Sequence, residues 1–371
     1  MPDVYMVDAR SANSGENYSD KIRLLLSVPD FAELIPQGKR VTFIKANYSP
    51  YGYNRHIRPV LLRAVVESVN LAGGFAAITD TSGFFPSGKI QGDRWLTAAE
   101  AMGYSMESLG CERILANGYE GDDGEFISTG GSELGGVEVA RAIRDAECLI
   151  MVSQVSAHPQ AGMFGAIVNL GLECMNNSGK ARVYQDLKPD WLRENCQSCG
   201  ICAGACQWQA LTYRDEELSY NEARCSGCGA CLLACPNKAR GLAGEHIEAF
   251  QRRVAESAAA IVKTLDKKII YLNFLTDIVP QYYRFAWADT PFVPDIGILA
   301  STDPVAIDAL SLELVKWAQG IPGTAAEDAG ALDKGVEKFK ALTGADPELM
   351  LNHAESMGLG SKDYQALVSG R

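Results

Sequence analysis

The sequence lacks the apolar segments that membranes require. No apolar run approaches the roughly 20 residues of a membrane-spanning helix, and residues 1–20 have neither the basic nor the apolar region of a signal peptide. Positive charge is also scarce, since 34 Lys and Arg face 46 Asp and Glu, for a net charge of −12. We therefore expect a soluble, cytoplasmic protein that binds neither membrane nor nucleic acid, because an acidic surface repels phosphate backbones.

The short motifs of nucleotide-binding proteins are missing as well. The segment TSGFFPSGK (81–89) lacks the first glycine of a phosphate loop, and Lys89 is followed by Ile90 rather than by Ser or Thr. No G-x-G-x-x-G follows an early strand. We expect neither nucleotide hydrolysis nor a Rossmann site. No flavin, corrin or molybdenum signature is evident, but a flavin stays open as a cofactor because its sites often leave no short motif.

Cysteine, by contrast, is plentiful and unevenly placed. Eight of the eleven cysteines lie in two runs, Cys196–Cys206 and Cys225–Cys235, and both runs read C-x2-C-x2-C-x3-C. Clustered cysteines in an intracellular chain indicate metal ligation rather than disulfides. Paired structural zinc sites are the alternative, although two complete four-cysteine runs exceed what zinc requires. The scattered Cys111, Cys148 and Cys174 are expected to be buried, inert thiols.

The spacing of the two runs resembles that of bacterial two-cluster ferredoxins, which hold two [4Fe–4S] clusters. The resemblance covers residues 191–240, and it departs from the pattern at Gln207, where proline is usual. In that family the fourth cysteine of each run binds the other cluster. The implied ligands are Cys196, Cys199, Cys202 and Cys235 for cluster 1, and Cys225, Cys228, Cys231 and Cys206 for cluster 2.

The flanking residues alternate between strand and helix patterns. β-Branched and apolar content predicts strands at 41–47, 75–80, 147–156, 269–278 and 295–302. Helical periodicity predicts helices at 56–72, 92–103, 137–146, 163–175, 245–265 and 303–318, the last capped by Asp303. This alternation predicts an α/β fold with a mostly parallel sheet and helices on both faces.

The position of the cysteine runs predicts how the domains are organised. We expect one α/β domain, formed by residues 1–190 and 241–371, interrupted by a small α+β ferredoxin-like insertion at 191–240. The alternative is two independent α/β domains joined by a ferredoxin linker.

Polar residues follow several predicted strands, where parallel α/β domains bind their ligands. Lys45 and Asp80 would position a polar or anionic substrate, and His158, with Tyr282 or Tyr283, would supply protons. Each also has a structural interpretation, such as a solvated strand end for Lys45 and a turn cap for Asp80. Asp303 is interpreted mainly as a helix cap, and Asp308 as either a carboxylate that supports site residues from behind or a surface carboxylate. The remaining candidates are Asn47, Tyr48, Thr81, Ser82, Ser156, Asn169, Thr276, Asp277 and Arg284.

The flanking residues also resemble an iron–sulfur protein family known as domain of unknown function 362. The similar stretches are IKAN (44–47), TDTSGFFPSGK (79–89), and residues 157–174 and 289–315. Many members carry a two-cluster ferredoxin unit within the α/β domain, and the resemblance implies the same arrangement here.

Three positions depart from that family. Members commonly have lysine where Ser156 and Val168 stand, and a cysteine–aspartate–cysteine motif where Gln281–Arg284 stands. The resemblance therefore implies a pocket adapted to another substrate, with an aromatic wall formed by Tyr282, Tyr283 and Trp287.

Three functions are compatible with these features. The leading one is an oxidoreductase that relays low-potential electrons from a soluble donor or redox partner protein, through two [4Fe–4S] clusters, to a small molecule in the α/β cleft. The second is an electron-transfer subunit that docks to a larger redox enzyme and has no substrate of its own. The third is a redox-sensing or maturation protein with structural clusters.

Overall fold

The computed structural model describes residues 1–38, 40–48, 52–82, 92–264, 268–285 and 287–368, with side chains except at 92–94. Most of the segment 81–89, which we did not assign as a phosphate loop, therefore lies outside the described residues, as does residue 265 of the predicted helix 245–265. No helix in these ranges is both long enough and apolar enough to cross a membrane.

The strands of the structure include all five predicted ones, with ends that agree to within about three residues. They are β1 (Asp3–Asp8), β2 (Val41–Lys45), β3 (Phe75–Asp80), β4 (Glu112–Leu115), β5 (Gly124–Ile127), β6 (Val137–Ala140), β7 (Cys148–Gln154), β8 (Ser156–His158), β9 (Gly162–Phe164), β10 (Asp190–Trp191), β11 (Leu211–Arg214), β12 (Glu217–Tyr220), β13 (Arg240–Gly241), β14 (Ile269–Leu275), β15 (Gly297–Ser301) and β16 (Gln365–Val368).

The helices range from single turns to the 21 residues of α11. They are α1 (Tyr18–Leu26), α2 (Pro29–Ala32), α3 (Pro59–Leu71), α4 (Gly92–Ala101), α5 (Met106–Leu109), α6 (Arg141–Arg144), α7 (Ala166–Gly171), α8 (Asn177–Val183), α9 (Ile201–Gly204), α10 (Ala230–Leu233), α11 (Gly244–Thr264), α12 (Pro304–Trp317), α13 (Ala325–Asp328), α14 (Lys338–Thr343) and α15 (Pro347–Ser356).

One sheet of eight strands organises the α/β part, in the order β16-β1-β15-β14-β7-β2-β3-β4. Neighbouring strands run parallel except on both sides of β15, which is antiparallel to β1 and β14. The sheet is thus mostly parallel, and the predicted α/β fold class is confirmed. Strands from before and after residues 191–240 belong to this one sheet.

The central strands are buried on both faces, as their unbroken apolar runs require. Every residue of β7 and β14 is buried. Alternate residues of β7 point to two separate cores, because side chains alternate across a strand. Met151 packs with α11 and α12 on one face, whereas Ile150 and Val152 pack with α1 and α3 on the other.

Two of the predicted helices are wrong in part. In the segment 137–146, Val137–Ala140 forms β6, which pairs antiparallel with β5, and only Arg141–Arg144 is helical. The buried Val137 and Val139 alternate with polar neighbours, which is a strand pattern. The segment 163–175 begins as β9, which pairs with β8, and the helix there is limited to Ala166–Gly171.

Two aspartates fix helix N-termini. Asp303 accepts hydrogen bonds from the backbone N–H groups of Val305 and Ala306, both at 2.9 Å, so its predicted role as the cap of α12 is confirmed. Asp308 is fully buried, so of its two interpretations the surface carboxylate is wrong. It accepts from the N–H groups of Ala166 at 2.7 Å and Ile167 at 2.9 Å, which holds the first turn of α7.

Candidate functional site

The eight clustered cysteines line two separate cavities. Cavity A, with about 370 Å³ of space between protein atoms that is partly open to solvent, is lined by Cys196, Cys199, Cys202 and Cys235. Cavity B, with about 390 Å³ of the same kind of space, is lined by Cys206, Cys225, Cys228 and Cys231. These sets have the same membership as the ligand sets that the ferredoxin resemblance implies.

The two runs reach their cavities through the same local structure. A one-turn 3₁₀ helix precedes Cys196 and another precedes Cys225. Gly200 and Gly229 then adopt positive φ angles of 72° and 77°, which lets the chain enter the short helices α9 and α10. The fourth cysteine of each run lies beyond its short helix, and there it lines the other run's cavity.

The donor set of the two cavities consists of thiols, the ligands that iron–sulfur clusters use. Four thiols line each cavity, and among the described residues no His or carboxylate lines either one. Within the described parts of the chain, no three His, Cys, Asp or Glu side chains converge closely enough to hold one metal ion. The Ala239 N–H donates to Cys235 Sγ at 3.2 Å, and the Ser198 N–H lowers the pKa of the Cys196 thiol. Such N–H donors stabilise sulfur ligands.

Cavity B lies against the α/β domain. The side chain of Gln160, in the turn between β8 and β9, donates to the Gly227 carbonyl at 2.7 Å. A Cβ atom at Gly229 would lie 2.6 Å from Cβ of Pro159, and one at Gly227 would lie 2.7 Å from the Leu187 carbonyl oxygen. The loop around Cys228 therefore needs Gly229 in order to approach the turn that follows His158, and Gly227 in order to approach Leu187.

Lys45 and Asp80 meet at the carboxyl edge of the sheet. They end the parallel neighbours β2 and β3, and Lys45 Nζ lies 2.8 Å from Asp80 Oδ1, with both side chains fully buried. Asp80 Oδ2 also accepts from the Tyr48 N–H at 2.8 Å. Asn169 of α7 accepts from Lys45 at 3.2 Å and from the side-chain amide of Asn47 at 3.3 Å. The structure thus brings four of the predicted site residues around Lys45.

A second group of charges adjoins this pair. Arg284 donates to the Glu173 carboxylate through both Nε and Nη2, and Lys180 Nζ lies 3.4 Å from the same carboxylate. Lys180 also donates to Thr81 Oγ1 at 2.6 Å and to the Ser82 carbonyl at 2.8 Å, next to Asp80. We call Lys45, Asp80, Glu173, Lys180 and Arg284 the buried polar cluster.

The charges of the buried polar cluster act on one another. Burial alone would raise the pKa of Glu173, but Arg284 and Lys180 outweigh it and hold the pKa well below its usual value. Burial and the Arg284 charge lower the pKa of Lys180 to about 7. With Lys180 protonated, three cations face two carboxylates, so the cluster has an excess positive charge that suits an anionic ligand.

His158 is neutral and stacked among aromatic rings. Its Nδ1 accepts from the N–H groups of Gln160 and Ala161 at 3.3 and 3.1 Å, so the ring proton lies on Nε2, which has no hydrogen-bond partner among the described residues. Burial lowers the pKa of His158 to about 3. The neutral ring presents its Nε2 proton as a hydrogen-bond donor, and the role of His158 in supplying protons stays a prediction.

The predicted tyrosines connect His158 with the buried polar cluster. The ring of Tyr282 lies 4.4 Å from that of His158, measured between centroids, and its hydroxyl is 3.2 Å from the hydroxyl of Tyr184. Tyr283 packs under the guanidinium of Arg284. Residues 191–240 hold both cysteine runs, and we call them the cysteine unit. The loop after Pro280 contacts this unit directly, because the side-chain amide of Gln207 donates to the Arg284 carbonyl at 3.5 Å. Trp287 stacks on Phe285 rather than on the buried polar cluster.

Some of the other candidates lie elsewhere. Thr276 and Asp277 follow β14, but Asp277 pairs with Arg55 at 3.2 Å and Arg58 at 3.1 Å, apart from the buried polar cluster. Ser156 is buried in β8. Cys148 and Cys174 are buried as predicted, and burial raises their pKa values to about 11 and about 12. Cys111 is only half-buried.

Sequence reasoning missed Glu173 and Lys180. Glu173 had a usable signal, since a lone acid at the end of the apolar run 163–175 must be buried and therefore paired. Lys180 had no such signal in the sequence, because it lies in the polar stretch NNSGKARV (176–183), where a lysine is ordinarily solvated. Tyr184 was missed for a similar reason.

Fold and site together define an α/β protein with a mostly parallel sheet, in which the chain between β7 and β14 includes a unit with two four-cysteine cavities. The chain belongs to the family described as Domain of unknown function (DUF362), which it matches over residues 42–313. No curated protein matches it significantly.

The chain is similar to several solved structures at low sequence identity. One is the lactate racemase apoprotein of Thermoanaerobacterium thermosaccharolyticum, at 9% identity and a TM-score of 0.42 over 98% of this chain and 82% of that one. Another is a protein of Thermotoga maritima, at 10% identity and a TM-score of 0.36 over 75% of this chain and 55% of that one.

Proposed function

We propose that this protein is a cytoplasmic iron–sulfur oxidoreductase that passes low-potential electrons to a small anionic molecule at the buried polar cluster. The observation that carries the proposal is the crossed grouping of eight thiols around two cavities, one of which packs against the His158 turn. Cys196, Cys199, Cys202 and Cys235 would hold one [4Fe–4S] cluster, and Cys206, Cys225, Cys228 and Cys231 the other. When bound, such clusters supply one-electron transfer.

The residues of the buried polar cluster would bind and orient the substrate. Lys45 and Arg284 supply fixed positive charge, and Arg284 Nη1 has no partner among the described residues. His158 offers its Nε2 proton as a hydrogen bond to a polar group of the substrate. Lys180, with its pKa of about 7, can hold or release a proton at Nζ near neutral pH. Because these side chains are buried, water would be excluded around them.

Iron analysis of cysteine variants tests the first half of the proposal. Two [4Fe–4S] clusters carry about eight irons per chain, so the anaerobically reconstituted protein should contain about that number, with equal sulfide. Cys202→Ser and Cys206→Ser lie four residues apart, yet each should disturb a different cluster, which EPR of the reduced protein distinguishes. Cys206→Ser should resemble Cys228→Ser, and Cys202→Ser should resemble Cys235→Ser.

The buried, non-lining thiol of Cys148 provides the matched control, since Cys148→Ser should keep the full iron content. Zinc in place of iron, or far fewer than eight irons in the wild-type protein, would overturn the proposal.

A substrate screen tests the second half. The reduced protein would be mixed anaerobically with oxidised or unsaturated carboxylic acids, and reoxidation would be followed by the return of visible absorbance. Lys45→Met should abolish any reoxidation that an anionic substrate causes, whereas Lys362→Met, at the surface, should leave it unchanged. Full turnover in His158→Ala would remove His158 from the site.

A second candidate is an electron-transfer subunit without a substrate of its own. The internal pairing of the buried polar cluster favours it, because Asp80 and Glu173 already compensate most of the positive charge. In that case native purification should recover a stoichiometric partner enzyme, and the substrate screen should find no reoxidation.

A further inference from the structure

The strand β13 adjoins both cysteine cavities. It consists of Arg240 and Gly241 and pairs antiparallel with β10. Ala239 and Arg240 line cavity A, whereas Leu242, the residue after β13, lines cavity B. The strand also contacts α10, the one-turn helix that carries Cys231 of cavity B. A charged side chain on this strand can therefore act on both cavities.

Arg240 is a buried cation in a lining that otherwise holds no Lys, Arg, Asp or Glu. It is the one such residue among the described residues that line the two cavities, and it is only 5% exposed. Its Nη2 is buried and has no hydrogen-bond partner among the described residues. A buried charge is costly unless an opposite charge or hydrogen-bond acceptors compensate it. An anionic group with acceptor atoms in cavity A would supply that compensation.

The positive charge of Arg240 acts on thiols of both cavities. In cavity A the Ser198 N–H lowers the pKa of the Cys196 thiol most, and the Arg240 charge lowers it further. In cavity B burial and the neighbouring thiols raise the pKa of the Cys231 thiol, and the Arg240 charge opposes that rise. In both cases Arg240 favours the negatively charged form of the sulfur. Anionic clusters in the two cavities would be subject to the same charge.

We propose that Arg240 raises the reduction potentials of both iron–sulfur clusters. The inference rests on the proposed function and adds to it a residue that controls how readily the chain accepts electrons. A cluster held by four thiolates is an anion, and the one electron that it gains from the soluble donor makes it more negative. A nearby buried cation stabilises this reduced form more than the oxidised form, because little water is present to screen the charge. The Nη2 proton of Arg240 would add to the effect as a hydrogen bond to a cluster sulfur.

Redox titration of Arg240 variants tests this role. The full chain, reconstituted anaerobically, would be titrated with dithionite in the presence of redox mediators, and EPR would follow the reduction of each cluster. Arg240→Met and Arg240→Gln should lower the equilibrium constant for reduction of each cluster by about tenfold or more, which is about 59 mV for a one-electron couple. Arg240→Lys keeps the charge and should therefore retain most of the wild-type potential.

Arg193 provides the matched control. Its guanidinium lies 4.5 Å from the ring centroid of Trp191, and that of Arg240 lies 5.2 Å from the same centroid. Arg193 is exposed, however, and it is not among the lining residues of either cavity. Water and salt screen such a charge, so Arg193→Met should remove a similar contact with the ring and leave both potentials unchanged. An equal fall in Arg193→Met and Arg240→Met would overturn the proposal.

The remaining outcomes also decide the proposal. Wild-type potentials in Arg240→Met and Arg240→Gln would refute the role of the charge, and a fall at one cluster alone would refute its action on both. If these two variants lost their clusters while Arg240→Lys kept them, the charge would be needed to hold the anions, which supports the proposal. Loss of the clusters in Arg240→Lys as well would mean that side-chain packing decides, and the proposal would be wrong.

The same titration separates this inference from the proposed function. If the wild-type protein held no reducible clusters, the proposed function would fail, and this inference with it. Reducible clusters with unchanged potentials in the charge-free variants would leave the function standing and remove only the role of Arg240.

Discussion

Buried charge is the main feature of the molecule at the scale of single residues. Glu173 is 2% exposed and compensates two cations, Lys180 and Arg284, that are themselves almost fully buried. Removing one partner from a buried ion pair costs far more than the pair is worth, because the remaining charge has lost its compensation. The stability of the fold therefore depends on this carboxylate.

We expect Glu173→Gln to lower the free energy of unfolding by about 3–5 kcal/mol, since two buried cations lose their counter-charge. The matched control is Glu67→Gln. Glu67 also pairs with two arginines, Arg23 at 2.7 Å and Arg63 at 3.1 Å, but its side chain is 37% exposed, so its loss should cost about 1 kcal/mol or less. Urea unfolding followed by circular dichroism measures both values. Equal destabilisation by the two variants would contradict the buried ion-pair network.

The residues of the candidate site that end a predicted strand could be located from the sequence. Lys45 and Asp80 end adjacent strands, and parallel neighbours bring their carboxyl ends together, so their contact follows from the pattern. Lys180 and Tyr184 come from α8, whose approach to the sheet edge depends on packing rather than on any local pattern. The protonation of His158 could not be predicted either, because it is set by complete burial and by the two N–H groups at Nδ1.

At the scale of elements, the predictions succeeded where one pattern runs through the whole segment and failed where two short elements follow each other. The helix α11 and the strands β7 and β14 have uninterrupted patterns over seven residues or more. The segment 137–146 contains a four-residue strand followed by a four-residue helix. Such a segment has too few residues to distinguish a hydrophobic period of 2 from one of 3.6. Val137–Ala140 is a strand because it pairs with β5.

Gly229 and Gly204 of the cysteine unit differ in how much space surrounds them, so their alanine variants can be compared. Gly229 has φ of 77°, and an added Cβ would lie 2.6 Å from Pro159 and 2.7 Å from the Gln160 side chain. Gly229→Ala should therefore strain the backbone and push the Cys228 loop away from the α/β domain, with loss of about half of the bound iron. Among the described residues, no atom lies within 4 Å of a Cβ added at Gly204, so Gly204→Ala should retain the full iron content. Iron and sulfide analysis measures both, and undiminished iron in Gly229→Ala would contradict this close approach.

At the scale of the whole molecule, the α/β part and the cysteine unit are stabilised in different ways. The sheet lies between two extensive cores. In the cysteine unit, the residues from 191 to 242 that join the larger core are Ala230, Cys228, Leu233 and Leu242. The unit's strands are two to four residues long. We therefore expect a segment of this size, with so little core, to depend on the proposed clusters for folding.

Removal of the clusters should therefore unfold the molecule unevenly. After anaerobic treatment with an oxidant and a chelator, we expect amides in residues 191–240 to lose their protection from hydrogen exchange, because the thiols no longer share a metal group. Peptides from β7 and β14 serve as the internal control and should stay protected, since both strands are fully buried in the sheet. The turn between β8 and β9 should show an intermediate loss, because Gln160 gives up its bond to Gly227. Mass spectrometry of the exchanged peptides measures all three regions in one experiment. Unchanged protection in 191–240 would mean that this unit folds without metal, and loss of protection in β7 and β14 would mean that the sheet itself depends on the clusters.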